Sequence, residues 1–134
     1  MKAQHLAEIM HSGQFRRDGK TPYFKHLERV AKRLKGESND VIETAYLHDV
    51  LEDAPVTAEY LRIQGFNETV ISSVEAMTKQ MGESYSDYLN RVAANPIAVK
   101  VKIADMLDNL SDTPTNKQII KYARGLLFLL KYKE

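Results

Sequence analysis

Apolar residues along this chain recur every three or four positions rather than every second one, the periodicity of helices that pack one face inward. Pro22 can open a helix at its first turn, and Leu27, Val30, Ala31 and Leu34 then form an apolar row before Gly36. Ser38 or Asn39 can cap the next segment, with Val41, Ile42, Ala45 and Tyr46 on its apolar side and Pro55 past its end. Thr57 caps a short helix that stops near Gly65. Asn67 caps another running towards Lys79, with Val70, Ile71, Val74 and Met77 inward and Gly82 following. Ser84 begins a segment through Asn95. Asn95-Pro96 then reads as the N-cap and first position of a helix bearing Ile97, Val101, Ala104, Leu107 and Leu110. A last, leucine-rich helix covers roughly residues 115–132. No segment alternates at strand length with hairpin chemistry, and neither a repeat nor a linker is visible. The expectation is an all-α fold, one domain over residues 1–134, of about seven helices joined by short turns.

Composition narrows the function classes. With 134 residues and 43% hydrophobic content the chain can build a real core, which excludes collagen-like, low-complexity and disordered classes. A net charge of +1 argues against a general DNA coat. The absence of cysteine removes disulfides and thiolate zinc sites and suits a reducing cytosol. The longest apolar run, residues 126–130, is far short of the ~20 needed to span a bilayer, and Met1-Lys2-Ala3-Gln4-His5-Leu6 has no signal-peptide core. A cytoplasmic location is expected, without a membrane partner. The charge is unevenly spread: residues 1–35 hold 9 Lys/Arg against 3 Asp/Glu, and residues 36–53 hold 6 acids and no base. Such a pattern is usually two solvated faces, but it also fits an anion-binding rim beside a cation-binding centre.

Three places break local rules. His48-Asp49-Val50-Leu51-Glu52-Asp53 puts three acids at the end of a helix whose C-terminus already carries partial negative charge, a cost of ~0.3–1 kcal/mol for each exposed acid. Asp49, Glu52 and Asp53 crowd one face, and His48 continues the Val41–Ala45 row to the edge of the buried stripe. A lone histidine there is more often a hydrogen-bonded core residue, whereas a histidine with three acids points to a bound cation. Asp105 continues the Ala98–Val101 row towards the core, where a carboxylate needs a metal, a proton or a cationic partner such as Arg29 or Arg33. Asp108 and Asp112 share the second half of that helix, with Asn109 one turn beyond Asp105. His26 stands at the edge of an apolar face on an early helix turn. His26, His48, Asp49 and Asp105 together offer two imidazoles and two carboxylates, a set suited to manganese, iron, zinc or nickel. Without thiolates and with room for water, it suits catalysis better than a structural role.

The order His26 … His48-Asp49 … Asp105 resembles the HD-domain metal-dependent phosphohydrolases. Longer strings are more specific. His11-x-Gly13-Gln14-x-Arg16-Arg17-Asp18-Gly19-x-x-Pro22-Tyr23-x-x-His26 resembles the N-terminal signature of RelA/SpoT-type alarmone hydrolases, and His48-Asp49-x-x-Glu52-Asp53 resembles their HDxxED box. Met77-Thr78-Lys79 and Lys100-Val101-Lys102-Ile103-Ala104-Asp105 are similar to two further elements of that family. The match covers about residues 3–112 and is most like the single-domain small alarmone hydrolases, including the metazoan SpoT-homologue type.

The resemblance implies a single HD-domain helical bundle that hydrolyses the 3′-pyrophosphate of guanosine tetra- or pentaphosphate. His26, His48, Asp49 and Asp105 would hold one divalent ion, Mn²⁺ being the family's usual one. Glu52 and Asp53 would orient or deprotonate the attacking water, Arg16 or Arg17 would reach the nucleotide, Lys79 would meet phosphate, Asn109 the ribose or 3′ group, and Tyr122 the nucleotide. The chain departs from the family where Ala104-Asp105-Met106-Leu107-Asp108-Asn109 replaces the frequent Ala-Asp-Arg-Leu-His-Asn, and Asp112 adds an acid near the pocket. That acid should weaken polyphosphate binding unless it pairs with Arg16, Arg17 or Lys79. Two other readings remain open: the same chemistry on another nucleotide or a pyrophosphorylated RNA end, as in an antitoxin, and a non-catalytic nucleotide-sensing module. Oligomeric state and a toxin partner are not legible in the sequence.

Overall fold

In the computed structural model, which describes residues 2–133, every regular element is helical apart from a single isolated bridge between Phe15 and Pro22. Nine α-helices follow in order: α1 Ala3–Met10, α2 Phe24–Arg33, α3 Asn39–Leu47, α4 Val50–Asp53, α5 Ala58–Ile63, α6 Glu68–Ala76, α7 Tyr85–Ala93, α8 Pro96–Leu110 and α9 Asn116–Leu129. A 3₁₀ turn over Leu130–Tyr132 ends the series. The all-α expectation holds. None of the described helices is long and apolar enough to cross a membrane.

The caps explain why most boundaries could be read from the sequence. The side chains of Ser38, Thr57, Asn67, Ser84, Asn95 and Thr115 each accept a backbone N–H in the first turn of the helix that follows. Such a bond satisfies a donor the helix cannot satisfy itself and contributes about 1 kcal/mol. Thr115 adds a reciprocal bond with Gln118, a full capping box.

Four expectations need correction. Helix α1 has no place in the seven expected helices, because Lys2 offers no side-chain cap and nothing punctuates the start. Its spacing Ala3, Leu6, Ala7, which are its buried residues, is nonetheless helical. Pro22 does not open α2: it pairs with Phe15, and Tyr23 N–H donates to the Gln14 carbonyl at 2.8 Å, so helix begins only at Phe24. The segment ending at Pro55 is not one helix. The His48 ring donates from Nδ1 to the Ala45 carbonyl at 2.7 Å, α3 stops, and Asp49 becomes the N-cap of the four-residue α4. Glu52 and Asp53 therefore lie in the first turn of a new helix, and the dipole penalty inferred for them does not apply. Asp112, finally, lies beyond the end of α8.

Helices α3 and α8 pack against each other and against most of the rest, α3 also meeting α1, α2 and α6, and α8 also meeting α2, α6, α7 and α9. One apolar cluster joins α2, α3, α7, α8 and α9 around Val30, Ala45, Val101, Met106 and Leu129. A second joins α1 and α3 to α6 around Leu6, Leu47, Val70 and Ile71. Full burial of each of the Val, Leu, Ile and Met side chains among these is worth ~1.5–3 kcal/mol, which supports a framework able to carry polar groups at depth. Those groups lie where α2, the α3–α4 break and α8 converge.

Candidate metal centre

Four side chains from these elements meet at one point. His26 comes from α2, His48 and Asp49 from the break between α3 and α4, and Asp105 from α8. His26 Nε2 lies 2.8 Å from Asp105 Oδ1, and His48 Nε2 lies 3.3 Å from the same oxygen and 3.1 Å from Asp49 Oδ2. His26, His48 and Asp105 are buried, while Asp49 retains a partly open edge.

Both rings are turned inward by their outer nitrogens. A carbonyl can only accept, so the contact with Ala45 fixes the proton on His48 Nδ1 and leaves Nε2 facing the carboxylates. His26 Nδ1 donates in the same way to Asp108 Oδ2 at 2.6 Å. Asp108 is fully buried and also takes the Arg29 guanidinium at 2.8 Å. This outer layer is the arrangement that orients histidines towards a metal. Asp49 is steadied by the Tyr23 hydroxyl, which donates to its Oδ2.

The electrostatics record an unbalanced cluster. Burial alone would lower the two imidazoles, but hydrogen bonds to Asp105 and Asp108 raise His26, and Asp49 with Asp105 raise His48 well above its ordinary value. Burial would lift Asp105, yet Lys102 and His48 hold it well below the usual carboxylate range. Asp49, lifted by burial and pulled down by His48, settles at about 2. The carboxylates thus stay ionised at a depth where charge must be compensated by protons on the rings or by a cation between them.

The donor set fits a divalent ion. Metal–ligand bonds of about 2.0–2.2 Å place neighbouring ligand atoms roughly 3 Å apart around one centre, and the contacts found are 2.8, 3.1 and 3.3 Å. Ligand atoms from all four residues lie within 4.8 Å of one another. These residues could hold one divalent metal ion.

Around this point the other expected residues fall into place unevenly. Glu52 and Asp53 stand at the solvent edge beside it. Glu52 Oε1 accepts Lys79 N–H at 2.5 Å, and the Asp53 carbonyl accepts from Gln14 Nε2 at 2.7 Å. Partial burial raises both carboxyls; the Lys79 amide opposes this at Glu52, while Asp49 adds to it at each. The loop between α1 and α2 delivers Arg16 over the Tyr23 ring, where Nη2 donates to Asn109 Oδ1 and Nε to Asp112 Oδ2, each at 2.8 Å. Arg17 instead reaches the backbone carbonyls of Asn109 and Asp112. Asn109 also donates from Nδ2 to Asp105 Oδ1 at 3.3 Å. Asp112 therefore does pair with Arg16, the condition under which an extra acid is tolerable. Lys79 borders a cavity of about 360 Å³ whose other walls are Glu52, Tyr85, Tyr88, Lys102 and Lys121. Tyr122 is half-buried against the core and is not among those walls.

Sequence reasoning gave no role at this site to Lys102, Asp108 or Tyr23. Lys102 donates to Asp105 Oδ2 at 3.0 Å, displacing Arg29 and Arg33 as the expected cationic partner; those two face Asp108 instead. Lys102 and Asp108 flank Asp105 at i−3 and i+3, a spacing that could have flagged both. Tyr23 meets Asp49 across 26 positions and Arg16 meets Asp112 across 96, with no local signal.

Residues 3–125 match the family described as HD domain. The chain is 33% identical over 119 residues to a guanosine-3′,5′-bis(diphosphate) 3′-pyrophosphohydrolase of Aquifex aeolicus, covering 81% of this chain and 17% of that protein. It is 34% identical over 122 residues to guanosine-3′,5′-bis(diphosphate) 3′-pyrophosphohydrolase MESH1 of Xenopus tropicalis, covering 84% of this chain and 68% of the relative. Among solved structures, one reported as a metazoan ortholog of SpoT that hydrolyzes ppGpp and plays a role in starvation responses superposes with a TM-score of 0.78 at 26% identity, over 97% of this chain and 84% of that one. The chain spans a fifth or less of the length of the bacterial relatives it matches.

Proposed function

The chain belongs to the HD-domain family, and on that premise we propose that it is a metal-dependent phosphohydrolase removing the 3′-pyrophosphate of guanosine tetra- or pentaphosphate. The observation that carries this reading is the convergence of His26, His48, Asp49 and Asp105, with both Nε2 atoms turned inward, directly beside Glu52 and Asp53.

The four residues are assigned as ligands of one divalent ion; the donor set suits manganese, iron, zinc or nickel, and Mn²⁺ is the ion that the family resemblance implies. Such an ion lowers the pKa of water and neutralises phosphate charge in the transition state. The protein's own groups do the rest. Glu52 and Asp53, raised by partial burial, are the proton acceptors for the attacking water. Attack on the phosphorus bonded to the 3′ oxygen breaks that O–P bond. The water oxygen leaves in pyrophosphate, and the ribose oxygen takes up a proton to give GDP or GTP. Asn109, whose amide bridges Arg16 and Asp105, is assigned to the ribose or 3′ group at this end. Arg16 is preferred over Arg17 for the nucleotide, because its guanidinium is the one seated over Tyr23 and on the Asn109 side chain. Lys79, which borders the cavity shared with Glu52, is assigned to the phosphates. Tyr122, packed on the core and outside that cavity, is given no support as a nucleotide contact by the geometry.

The test is direct. Protein loaded with Mn²⁺ is incubated with guanosine 3′,5′-bis(diphosphate), its adenosine analogue and a 5′-pyrophosphorylated RNA, and products are separated by anion exchange. Release of GDP and pyrophosphate, abolished by chelator and by Asp105→Ala, is the expected result. Turnover of the adenosine analogue or the RNA alone would move the substrate, and no turnover with metal bound would remove the catalytic reading.

A further inference from the structure

The His11-x-Gly13-Gln14 segment takes no part in the metal cluster or in the nucleotide contacts assigned above, yet it reaches the active centre. His11 closes α1, and Gly13, at φ +81, turns the chain so that the Gln14 N–H returns to the His11 carbonyl at 3.0 Å. From there the Gln14 side chain spans to the end of α4, where its Nε2 donates to the Asp53 carbonyl at 2.7 Å. That carbonyl can only accept, so the amide oxygen must face the other way. There Gln14 Oε1 accepts the His11 Nδ1–H at 2.7 Å.

The two ends of this bridge differ in depth. His11 is 2% exposed, and its ring centre lies 5.0 Å from that of Tyr23, whose hydroxyl holds Asp49. His11 Nε2 is buried without a partner, so the bond to Gln14 is the ring's one polar fastening among the described residues. Asp53 stands at the solvent edge and is held through its carbonyl; among the described residues its carboxylate enters no hydrogen bond or ion pair. Its backbone alone aims it. That backbone belongs to α4, whose four residues are far too few to hold a helix unaided in water. Val50 anchors the front of α4 in the core, and the Gln14 amide holds its last carbonyl, one of those that a helix end leaves without an internal partner.

We propose that Gln14, oriented by His11, is a positioning residue of the hydrolysis: it fixes the end of α4 so that the Glu52 and Asp53 carboxylates meet the attacking water. The proposal rests on the phosphohydrolase reading and deepens it by naming what aims the proton acceptors. Gln14 acts through the Asp53 backbone, and His11 acts through Gln14, so loss of either bears on kcat. A contact that merely fastened the α1–α2 loop would act through Arg16 and bear on KM.

Three variants test this. Gln14→Leu removes both bonds at similar volume. His11→Phe keeps a ring against Tyr23 but removes the donor, and His11→Asn restores an N–H near the place of Nδ1. Steady-state kinetics of Mn²⁺-loaded protein with guanosine 3′,5′-bis(diphosphate) is combined with elemental analysis. Gln14→Leu and His11→Phe should lower kcat about 10–100-fold, the effect of a misplacement on the order of 1 Å, with KM and metal content unchanged. His11→Asn should retain most of kcat. In parallel, NMR follows amide hydrogen exchange of Glu52 and Asp53, which both donate to the Asp49 carbonyl, in metal-free protein. Loss of one hydrogen bond should speed this exchange about fivefold in Gln14→Leu and His11→Phe. Gln14 is only half-buried, so Gln14→Leu decides the proposal even where a substitution at the buried His11 fails to fold. A raised KM at unchanged kcat overturns the proposal and leaves Gln14 a fastener of the loop. Unaltered exchange overturns it independently of activity, and a kcat as low in His11→Asn as in His11→Phe overturns the part given to His11. Absence of turnover by the unaltered protein overturns the phosphohydrolase reading instead, and the exchange measurement still decides whether Gln14 holds α4.

Discussion

His26 donates from Nδ1 to Asp108 Oδ2 at 2.6 Å, and neither side chain is open to solvent. Asp108 stands where the resembling family often has a histidine, and here it carries two loads, the His26 ring and the Arg29 guanidinium at 2.8 Å. Burial opposes its ionisation, but His26 and Arg29 hold it at about 2. The ring is thereby fixed with Nε2 facing Asp105.

Asp108→Asn should therefore damage the metal site without touching a ligand. Loss of such an orienting carboxylate typically lowers metal affinity 10–100-fold, and the weakened bond to Arg29 should cost about 1–3 kcal/mol of stability. Competition with a chromogenic chelator measures the first and urea unfolding the second. Unchanged metal affinity would show that His26 is oriented by packing alone.

Metal removal should itself be visible in unfolding. An ion that binds only the folded chain stabilises by about 2.7 kcal/mol at a hundredfold excess over Kd. For a chain of this length that corresponds to a rise in Tm of roughly 8–12 °C. Scanning calorimetry of chelated and Mn²⁺-loaded protein is the measurement, and His48→Ala should abolish the difference. A shift that survives His48→Ala would place the ion elsewhere.

How far the sequence carried depends on whether the determining contact was local. Capping by Ser38, Thr57, Asn67, Ser84, Asn95 and Thr115 acts within three residues, and those helix starts were legible. The inward faces of His48 and Asp105 follow from helical rows, whereas the dipole penalty expected for Glu52 and Asp53 is absent because they lie in the first turn of α4. The helix breaks where the His48 side chain takes the Ala45 carbonyl, an event that periodicity does not register. The pairing of Arg16 with Asp112, and of Tyr23 with Asp49, depends on how the α1–α2 loop folds over α8 and α4. No local pattern encodes it.

Besides the Phe15–Pro22 bridge, that loop is fastened internally at Asp18. Asp18 accepts from the Lys20 and Thr21 amides and from the Thr21 hydroxyl, which together hold its carboxyl at about 2. Gly19, at φ +71, makes the turn the bonds require. Because the folded value is depressed, this contribution is present above the ordinary carboxylate range and is lost as pH falls towards about 2. Asp18→Ala should free the loop at neutral pH, raise KM by roughly tenfold through Arg16, in line with the loss of one or two charge-assisted bonds, and leave metal content intact. Steady-state kinetics with elemental analysis separates these, and loss of metal would assign the loop to the metal site.

Glu52 gives the sharpest contrast between stability and activity. Burial raises its carboxyl, and the repulsion of Asp49 and Asp53 adds to this despite the Lys79 amide. A carboxylate raised on folding disfavours the folded state while ionised, so stability gains as pH falls through the folded value. Activity moves the opposite way, because the protonated acid cannot accept the proton of water. The acid limb of kcat/KM should therefore lie above the ordinary glutamate value of about 4.3. Glu52→Gln keeps the acceptor for Lys79 N–H and removes the charge. It should leave Tm unchanged or higher, retain metal, and lower turnover ~10²–10⁴-fold. The same substitution should abolish or shift the acid limb of whatever activity remains. A variant with near-normal turnover and an unaltered limb would transfer the role of base to Asp53, whose carboxyl is raised by the same burial and the same neighbour.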